Sequence, residues 1–371
     1  MVEALAAEGM RALLAAMFLR VVFCILFAAS LSAAPVEILP AEQRAAQQPQ
    51  VAVGAKGEIH VVIGQKDGAI FHTVSTDEAR TFRAPVKIGA LPKLALGMHR
   101  GPRIAVAGER VVVTAISHEG GDLLAWTSTD RGASWTGPAT LNTAPKSARE
   151  GLHAMAASGE RVAVAWLDLR NTGTELWGAL SKNGGASWEP DARIYQSPDG
   201  SICQCCAPSL AFGARGELAA MWRNALGGAR DLYSALSRDG GQTFGPAEKL
   251  GAGTWKLNAC PMDGGSMTFA PAGNRLAVWR RERTIFASEA SAPEKQLTVN
   301  AAQPVVAYAG RTRLILWEAS GGLMLQRGSE APVRFAENAA AASIASGPEA
   351  AVIVWEASVN GAKTILIDRV R

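Results

Sequence analysis

Charge and cysteine are both scarce in this sequence, and each shortage excludes a class of protein. Only 19% of the 371 residues are charged while 48% are hydrophobic, so the chain is not intrinsically disordered. Its net charge of +4 is too small for the dense basic surface that nucleic-acid binding requires, and we expect no nucleic-acid partner. Five cysteines are too few for a disulfide scaffold of this length. Glycine is abundant instead, with 38 residues, which favours a fold with many tight turns.

An apolar run long enough to span a membrane is also missing. The apolar run at residues 21–31 is shorter than the about 20 residues that a span needs. Arg20 precedes this run and small residues follow it, which is the pattern of a secretory signal. We therefore predict a signal peptide over residues 1–34 and a mature domain over residues 35–371, exported to the periplasm or outside the cell, with no membrane span after cleavage. A membrane anchor is the alternative interpretation, and Met17 is a second candidate start.

One short segment occurs four times along the chain. Residues 128–135 recur at 181–188 and 237–244, and a less regular copy lies at 75–82. Each copy is a polar turn in which an Asp or Asn side chain caps the backbone, and in three copies a glycine can adopt positive φ. We predict a structural role for these capping residues, which are Asp77, Asp130, Asn183 and Asp239.

Short alternating strands surround these turns. The second strand of a unit ends in tryptophan at five places, namely Trp166, Trp222, Trp279, Trp317 and Trp355. Inner strands recur near residues 51, 103, 154, 209, 266, 304 and 342, which gives seven units of four antiparallel strands. The seventh unit lacks its outer strand, and residues 36–39 are placed to supply it and close a ring. The sequence therefore predicts an all-β fold, a β-propeller of four-stranded antiparallel blades, with seven blades preferred and six as the alternative. We expect a monomer.

The recurring turn resembles the Asp box, also called the BNR repeat, of sialidases and related propellers. The chain is also similar to exported bacterial proteins described as sialidase-like, in segments such as residues 97–103, 149–154, 203–209 and 255–265. The resemblance implies that the turns join the third and fourth strands of each blade on one face, and that the loops of the opposite face build the functional site. If the protein is an enzyme, it implies a glycoside hydrolase of the exo-α-sialidase type. The Asp box also occurs in non-catalytic propellers, so catalysis stays open.

Arginine gathers in the loops of the predicted functional face. Guanidinium groups match a planar carboxylate, so we expect an anionic glycan of the sialic-acid or uronate class as the ligand. The candidate binding residues are Arg100, Arg103, Arg149, His153, Arg170, Arg223, Asn224, Arg230 and Arg280, with Trp255 as a stacking surface. The later blades carry few polar residues there, with Glu318 and Glu356 as exceptions. The alternative is that pairs such as Asp168 with Arg170 only hold their own loops.

Candidate catalytic residues are fewer. A two-carboxylate mechanism would use Asp168 and Asp231, or Glu150 as one of the pair. Of the three tyrosines, Tyr233 is the one placed to act as the nucleophile that the resemblance implies. No three arginines match the sialidase arginine triad one by one.

Four cysteines lie in two loops of the same face. Cys203, Cys205 and Cys206 precede the fourth inner strand, and Cys260 precedes the fifth. In an exported protein, two disulfides would pin these loops, with Cys260 bridging to Cys205 or Cys206. The other interpretation is a thiolate site for Cu(I) or Zn(II), with Met262 or His153 nearby; otherwise we expect no cofactor. That second interpretation gives the rival function, a non-catalytic binding or metal-handling propeller.

Overall fold

The structure, a computed structural model, describes residues 34–40, 43, 45–289 and 292–371. Almost all of the predicted signal peptide, 1–34, therefore lies outside the described residues, and it stays a prediction. Val36–Arg371 form one compact unit. The part of the chain that the structure describes contains only strands and loops, and so no helix that could cross a membrane.

Twenty-eight strands form seven four-stranded sheets, which are the blades of the propeller. The first described strand, β1 (Val36–Glu37), belongs to the last blade. Blade I consists of β2 (Gln47–Val53), β3 (Ile59–Gly64), β4 (Ala69–Ser75) and β5 (Val86–Ala90). Blade II consists of β6 (Arg103–Ala107), β7 (Arg110–Ile116), β8 (Leu123–Ser128) and β9 (Thr136–Thr140). Blade III consists of β10 (His153–Ser158), β11 (Arg161–Asp168), β12 (Glu175–Ser181) and β13 (Ala192–Tyr195).

The remaining four blades repeat this order. Blade IV consists of β14 (Ser209–Phe212), β15 (Leu218–Arg223), β16 (Leu232–Ser237) and β17 (Glu248–Lys249). Blade V consists of β18 (Ser266–Phe269), β19 (Arg275–Arg281), β20 (Thr284–Glu289) and β21 (Lys295–Val299). Blade VI consists of β22 (Ala302–Ala309), β23 (Thr312–Ala319), β24 (Gly322–Arg327) and β25 (Val333–Glu337). Blade VII consists of β26 (Ala339–Ala345), β27 (Ala351–Val359) and β28 (Ala362–Val370), completed by β1.

The seven-blade prediction is confirmed, and the six-blade alternative is wrong. Each of the seven predicted inner strands is present, and neighbouring blades meet through them around the central axis. The predicted ring closure is also confirmed, because Val36 pairs with Ile367 and Glu37 pairs with Leu366 in an antiparallel register. Blade VII thus combines strands from both ends of the described chain.

The core lies between the blades, where the second strands contribute their apolar side chains. The five repeated tryptophans are at most 2% exposed, so they pack between blades and are not available to a ligand. Small residues on the inner strands let seven sheets approach one axis. They line a central channel of about 360 Å³, which includes Ala52, Ala105 and Ala307.

The four recurring turns join the third and fourth strands of blades I to IV, as predicted. Asp130 shows the arrangement: it accepts hydrogen bonds from Ser128 Oγ at 2.7 Å and from the backbone N–H of Ser134 at 2.9 Å. Asp77, Asn183 and Asp239 accept the equivalent bonds. Hydrogen bonding to Thr81 and Ser75 lowers the pKa of Asp77 to about 2, so its carboxylate stays charged above acidic pH.

The opposite face, which we call the loop face, has two unequal halves. Long connections lead into blades II to V, at residues 91–102, 141–152, 196–208 and 250–265. We call these four loops and the blade ends beneath them the closed half. The connections into blades VI and VII are only residues 300–301 and 338, and the second and third strands of blades V to VII meet in tight turns. We call the side formed by these short connections and tight turns of blades V to VII the open half.

Candidate functional site

Asp168 is a fully buried carboxylate whose bonds are used within the closed half. It accepts hydrogen bonds from Ser147 Oγ at 2.7 Å and from the Trp166 indole N–H at 2.8 Å. Arg170 donates to it through its backbone N–H at 2.8 Å and through Nε and Nη2 at 2.9 Å each. The Arg170 guanidinium also pairs with Asp191. These contacts agree with the alternative in which Asp168 and Arg170 hold their own loop.

Arg223 donates to backbone carbonyl groups and is only 1% exposed. Its Nε and Nη2 donate to the carbonyl of Asp263 at 3.0 and 2.7 Å, its Nη1 to that of Arg230 at 2.5 Å, and its Nη2 also to that of Arg280 at 3.0 Å. The guanidinium carbons of Arg223 and Arg280 each lie 5.4 Å from the ring centroid of Trp255. Because Trp255 is buried between them, it offers no open stacking surface.

The other predicted residues of blade IV are also engaged. Asn224 is buried and donates from Nδ2 to the Tyr195 hydroxyl at 3.0 Å. Asp231 pairs with Lys249 at 3.0 Å and accepts a backbone N–H from the following loop at 2.8 Å. Burial, reinforced by the Asp231 carboxylate, raises the pKa of Tyr233. A raised pKa disfavours the phenolate, so the environment of Tyr233 does not activate it as a nucleophile.

Three arginines of blades II and III contact backbone carbonyl groups to different degrees. Arg100 donates from Nε to the carbonyl of Glu150 at 2.7 Å. Arg103 donates to the carbonyls of residues 99, 101 and 102, and burial lowers its pKa to about 10, so it stays charged at neutral pH. Arg149 is exposed, with one long contact of 3.5 Å from Nη1 to the carbonyl of Lys146. Of these, Arg149 is the one with most of its donors free.

Three predicted binding residues, His153, Arg230 and Arg280, have a buried nitrogen without a hydrogen-bond partner. The Nδ1 of His153 has no hydrogen bond, while its Nε2 lies 3.0 Å from Thr114 Oγ1. Burial holds the pKa of His153 well below its usual range, so the ring is neutral at pH 7. The Nε of Arg230 is likewise buried without a partner.

A polar network that the sequence did not predict closes the centre of the loop face. Asp263 is fully buried; its Oδ2 accepts the backbone N–H of Gln303 at 2.9 Å and lies 3.5 Å from Arg280 Nε, while Oδ1 has no hydrogen-bond partner. His99, from the loop before blade II, lies close enough to Asp263 for an electrostatic interaction between the two side chains. Burial lowers the pKa of His99, and Asp263 opposes that effect. The network therefore joins loops from opposite sides of the ring.

A large cavity lies over the open half. This cavity, the cleft, has a volume of about 660 Å³ and lies above the short connections of blades V to VII. Its lining includes three cationic side chains, Arg280, Arg283 and Lys363, two half-buried carboxylates, Glu318 and Glu356, and one exposed carboxylate, Glu282. Alanines form much of its floor. The short loops leave this space open, so the cleft is a consequence of the loop lengths.

Glu318 and Glu356 occupy the same position of their blades, directly after the buried tryptophan of the second strand. Each is held by one oxygen: Oε1 of Glu318 accepts the backbone N–H of Ala341, and Oε1 of Glu356 accepts that of Gln48, both at 2.8 Å. Ala341 and Gln48 lie at irregular points of the next inner strand, with φ of 52° and 53°, where the backbone N–H turns away from the ladder. The second oxygen of each carboxylate has no protein partner among the described contacts.

Burial raises the pKa of Glu318, and the carboxylates of Asp263 and Glu356 add to this effect. A raised pKa favours the protonated carboxyl group, which is the form that can donate a proton to a leaving group. The sequence had singled out Glu318 and Glu356 only as exceptions in a part of the face with few polar residues. The length of the segments that connect the strands could have identified them. These segments are shortest in blades V to VII, and short connections leave space for a cleft.

Cys203, Cys205 and Cys206 form a second site, which we call the thiol cluster. Their Sγ atoms all lie within 4.8 Å of one another, with 3.5 Å between Cys203 and Cys205 and 3.6 Å between Cys203 and Cys206. Hydrogen bonds from the other two thiols hold the pKa of Cys206 well below its usual range. All four described cysteines are free thiols, and Cys260 is exposed while the cluster is buried.

Comparison with known proteins agrees with this architecture. Residues 105–267 match the family described as the BNR repeat-like domain. No curated protein matches the chain. The predicted resemblance to BNR-repeat, sialidase-like propellers is confirmed by the family match together with the fold.

Several solved structures share the fold at low sequence identity. A protein of unknown function from Dyadobacter fermentans is 16% identical with a TM-score of 0.55, covering 92% of this chain and 99% of its own. The α-L-arabinofuranosidase Arb93A from Fusarium graminearum is 14% identical with a TM-score of 0.53, covering 92% and 98%. The intramolecular trans-sialidase from Ruminococcus gnavus is 10% identical with a TM-score of 0.52, covering 88% and 94%. At these identities the likeness establishes the fold alone.

Proposed function

We propose that this BNR-repeat β-propeller binds an anionic glycan of the sialic-acid or uronate class in the cleft of blades V to VII, and cleaves it with Glu318 and Glu356. The observation that carries the proposal is the cleft itself, which brings two anchored carboxylates and three cations to one cavity of about 660 Å³. A cavity of that size accommodates one or two sugar rings. Two similar structures have names of carbohydrate-acting enzymes, which agrees with a carbohydrate ligand.

The cations support an acidic sugar. Arg283 and Lys363 are exposed at the cleft and have no salt-bridge partner among the described residues. Arg280 reaches the cleft with one edge of its guanidinium, while its Nη2 donates to the carbonyl of Pro261 at 3.2 Å. A sugar carboxylate would find charge-assisted donors here, whereas most predicted arginines of the closed half contact backbone carbonyl groups.

The carboxylates support hydrolysis. In the proposed reaction Glu318, with its raised pKa, donates a proton to the glycosidic oxygen, and Glu356 acts as the second carboxylate, as nucleophile or as base toward water. Each is positioned by the hydrogen bond from the next inner strand, which leaves one oxygen for the substrate. None of the three tyrosines lines the cleft, so this scheme replaces the tyrosine nucleophile of the exo-α-sialidase type.

The test is a screen with 4-methylumbelliferyl glycosides of sialic acid and glucuronic acid, with the neutral arabinofuranoside as the comparison. We expect turnover of an acidic glycoside, and a fall in kcat of about 100-fold or more in Glu318→Gln, because proton transfer contributes about that factor. Arg283→Ala and Lys363→Ala should each raise Kd about tenfold, measured by calorimetry with Glu318→Gln as the inactive binder. The matched control is Glu330→Gln, an exposed glutamate of the same blade outside the cleft.

Two results would separate the parts of this proposal. Binding of an acidic sugar without cleavage by the wild-type chain would overturn the catalytic role of Glu318 and Glu356 and leave the binding site standing. Cleavage of the arabinofuranoside with no affinity for acidic sugars would overturn the anionic ligand class.

Export belongs to the same proposal, because a glycan-binding site of this kind acts where glycans occur. The pattern in residues 1–34 supports it. N-terminal sequencing of protein from the extracellular and periplasmic fractions should find a chain that starts at residue 35. Recovery of the uncleaved chain in the cytoplasm would contradict export.

A further inference from the structure

We propose that the thiol cluster, Cys203, Cys205 and Cys206, binds one Cu(I) ion. The three side chains are 3%, 8% and 1% exposed, and they come from one segment of the loop that leads into blade IV. Three buried thiols that converge on one point have no role in the sugar cleft, which lies over other blades. The site is therefore separate from the proposed glycan function.

The spacing of the sulfur atoms fits a shared metal ion. Metal–thiolate bonds are about 2.3 Å long, so three sulfurs around one ion are roughly 3.8–4.0 Å apart. The observed separations of 3.5 and 3.6 Å are close to that range. The backbone N–H of Cys203 donates to the carbonyl of Arg223 at 3.0 Å, which fixes the loop to the end of β15. The ligands are thus held in position by a strand and not by a free loop.

The number and kind of ligands favour Cu(I) over Zn(II). Structural zinc takes four ligands, whereas in the described residues no histidine or carboxylate joins these three sulfurs at ligand distance. Soft thiolates suit both ions, so the missing fourth ligand is what favours Cu(I). A Cu(I) ion with three thiolates carries net negative charge, and the Arg223 guanidinium and the backbone N–H of Asp263 both act on Cys206 and offset it.

The loop face carries further soft donors outside the thiol cluster. Few large apolar side chains are exposed among the described residues, and two of them are methionines of the loop face, Met98 at 51% and Met262 at 38%. Met262 follows the exposed Cys260 by two residues. Met98 directly precedes His99, and His99 lies close enough to Cys206 for an electrostatic interaction between the two side chains.

The test uses the full chain, reduced and kept without oxygen, in competition with bicinchoninate for Cu(I). We expect one Cu(I) per chain to be withdrawn from the chelator, with native mass spectrometry confirming one copper ion. Cys203→Ser and Cys206→Ser should each lower the affinity by at least about 100-fold, since changes outside the ligand shell alone cost 10–100-fold. Cys260→Ser, which removes a thiol outside the cluster, should keep the wild-type affinity within about threefold.

X-ray absorption of the copper-loaded wild type gives a readout that does not depend on the variants folding. Three sulfur neighbours at about 2.3 Å support the site. A spectrum with nitrogen or oxygen neighbours would overturn it. So would a reduced chain that withdraws no Cu(I), which would leave the cysteines as partners for disulfides, or an equal loss of affinity in Cys260→Ser.

Discussion

The two halves of the loop face use their charged residues in opposite ways. In the closed half, Asp168 accepts five hydrogen bonds and Arg223 donates four, all from or to protein groups. In the open half, Glu318 and Glu356 each accept one and keep an oxygen free. The half that is richer in arginine thus uses most of its predicted arginines to bind protein groups.

The physical reason is loop length. A long loop brings many backbone carbonyl and N–H groups that strand ladders do not satisfy, and buried ones need partners. Arginine and aspartate supply those partners, so charge in a long loop is used to hold the loop. A two-residue connection has little backbone to satisfy, and its charged neighbours keep their capacity for a ligand. This difference predicts how each half responds to substitution and to pH.

The largest effect should follow from Asp168→Ala in the closed half. The change removes the buried acceptor of the Trp166 indole N–H and one of the two carboxylates that pair with the Arg170 guanidinium, so we expect the free energy of unfolding to fall by about 3–5 kcal/mol. Urea denaturation measures this, with the exposed Glu282→Ala as the control. A loss below about 1 kcal/mol would contradict the view that the charged residues of the closed half stabilise its loops, because Asp168 would then not be a structural carboxylate.

A smaller effect should appear on acidification, from a pair of buried histidines in blade I. His60 Nδ1 and His72 Nε2 lie 3.0 Å apart, and burial lowers their pKa values to about 4 and about 3. The unfolded chain takes up these protons below about pH 6.5 while the folded chain does not, so stability falls as the pH drops from 6.5. For His60 alone, the loss by pH 4 is about 3 kcal/mol.

Unfolding curves at pH 7, 6 and 5 measure this loss. His60→Gln should flatten the pH dependence, whereas His118→Gln, at an exposed position, should leave it unchanged. An unchanged slope in His60→Gln would contradict the assignment to this pair.

The smallest effect should come from Glu318→Gln in the open half, and it should have the opposite sign. The pKa of Glu318 is raised in the folded chain, so its ionisation works against folding, and this loss grows as the pH rises through the unfolded pKa. The neutral glutamine should therefore raise the thermal midpoint slightly at pH 7 and not at pH 4. A lower midpoint at pH 7 would show that the carboxylate stabilises the fold, and the contrast between the halves would fail.

The fold could be predicted because its information is repeated along the chain. Four similar turns and five tryptophans mark the same positions in successive blades, so one error in one blade does not change the count. The closing strand could also be predicted by counting strands. The last blade lacked its outer strand, and residues 36–39 formed a strand that belonged to no other blade.

The site was predicted less well, because residue type and loop position do not reveal what satisfies a side chain. Arg223 looked like a ligand for anions, yet its main partner is the carbonyl of Asp263, which lies in another loop and is invisible in the local sequence. Glu318 looked isolated, yet it lines the cleft. The thiol cluster was recognisable as a group, but the separation of Cys260 from it depends on how two loops fold.

The pairing of β1 with β28 determines how the ring can open. Residue 36 meets residue 367, so the first described strand to be synthesised is among the last to find its partner, and the seven blades are not continuous until it does. Two residue pairs form the ladder of this connection, and the backbone N–H of Ile38 donates one further hydrogen bond to the carbonyl of Ile365. Ile38 and Leu39 are buried in the core beside it. Because β1 and β28 must part before the blades beside them can separate in sequence, we expect this seam to affect the lifetime of the folded ring through the rate of unfolding.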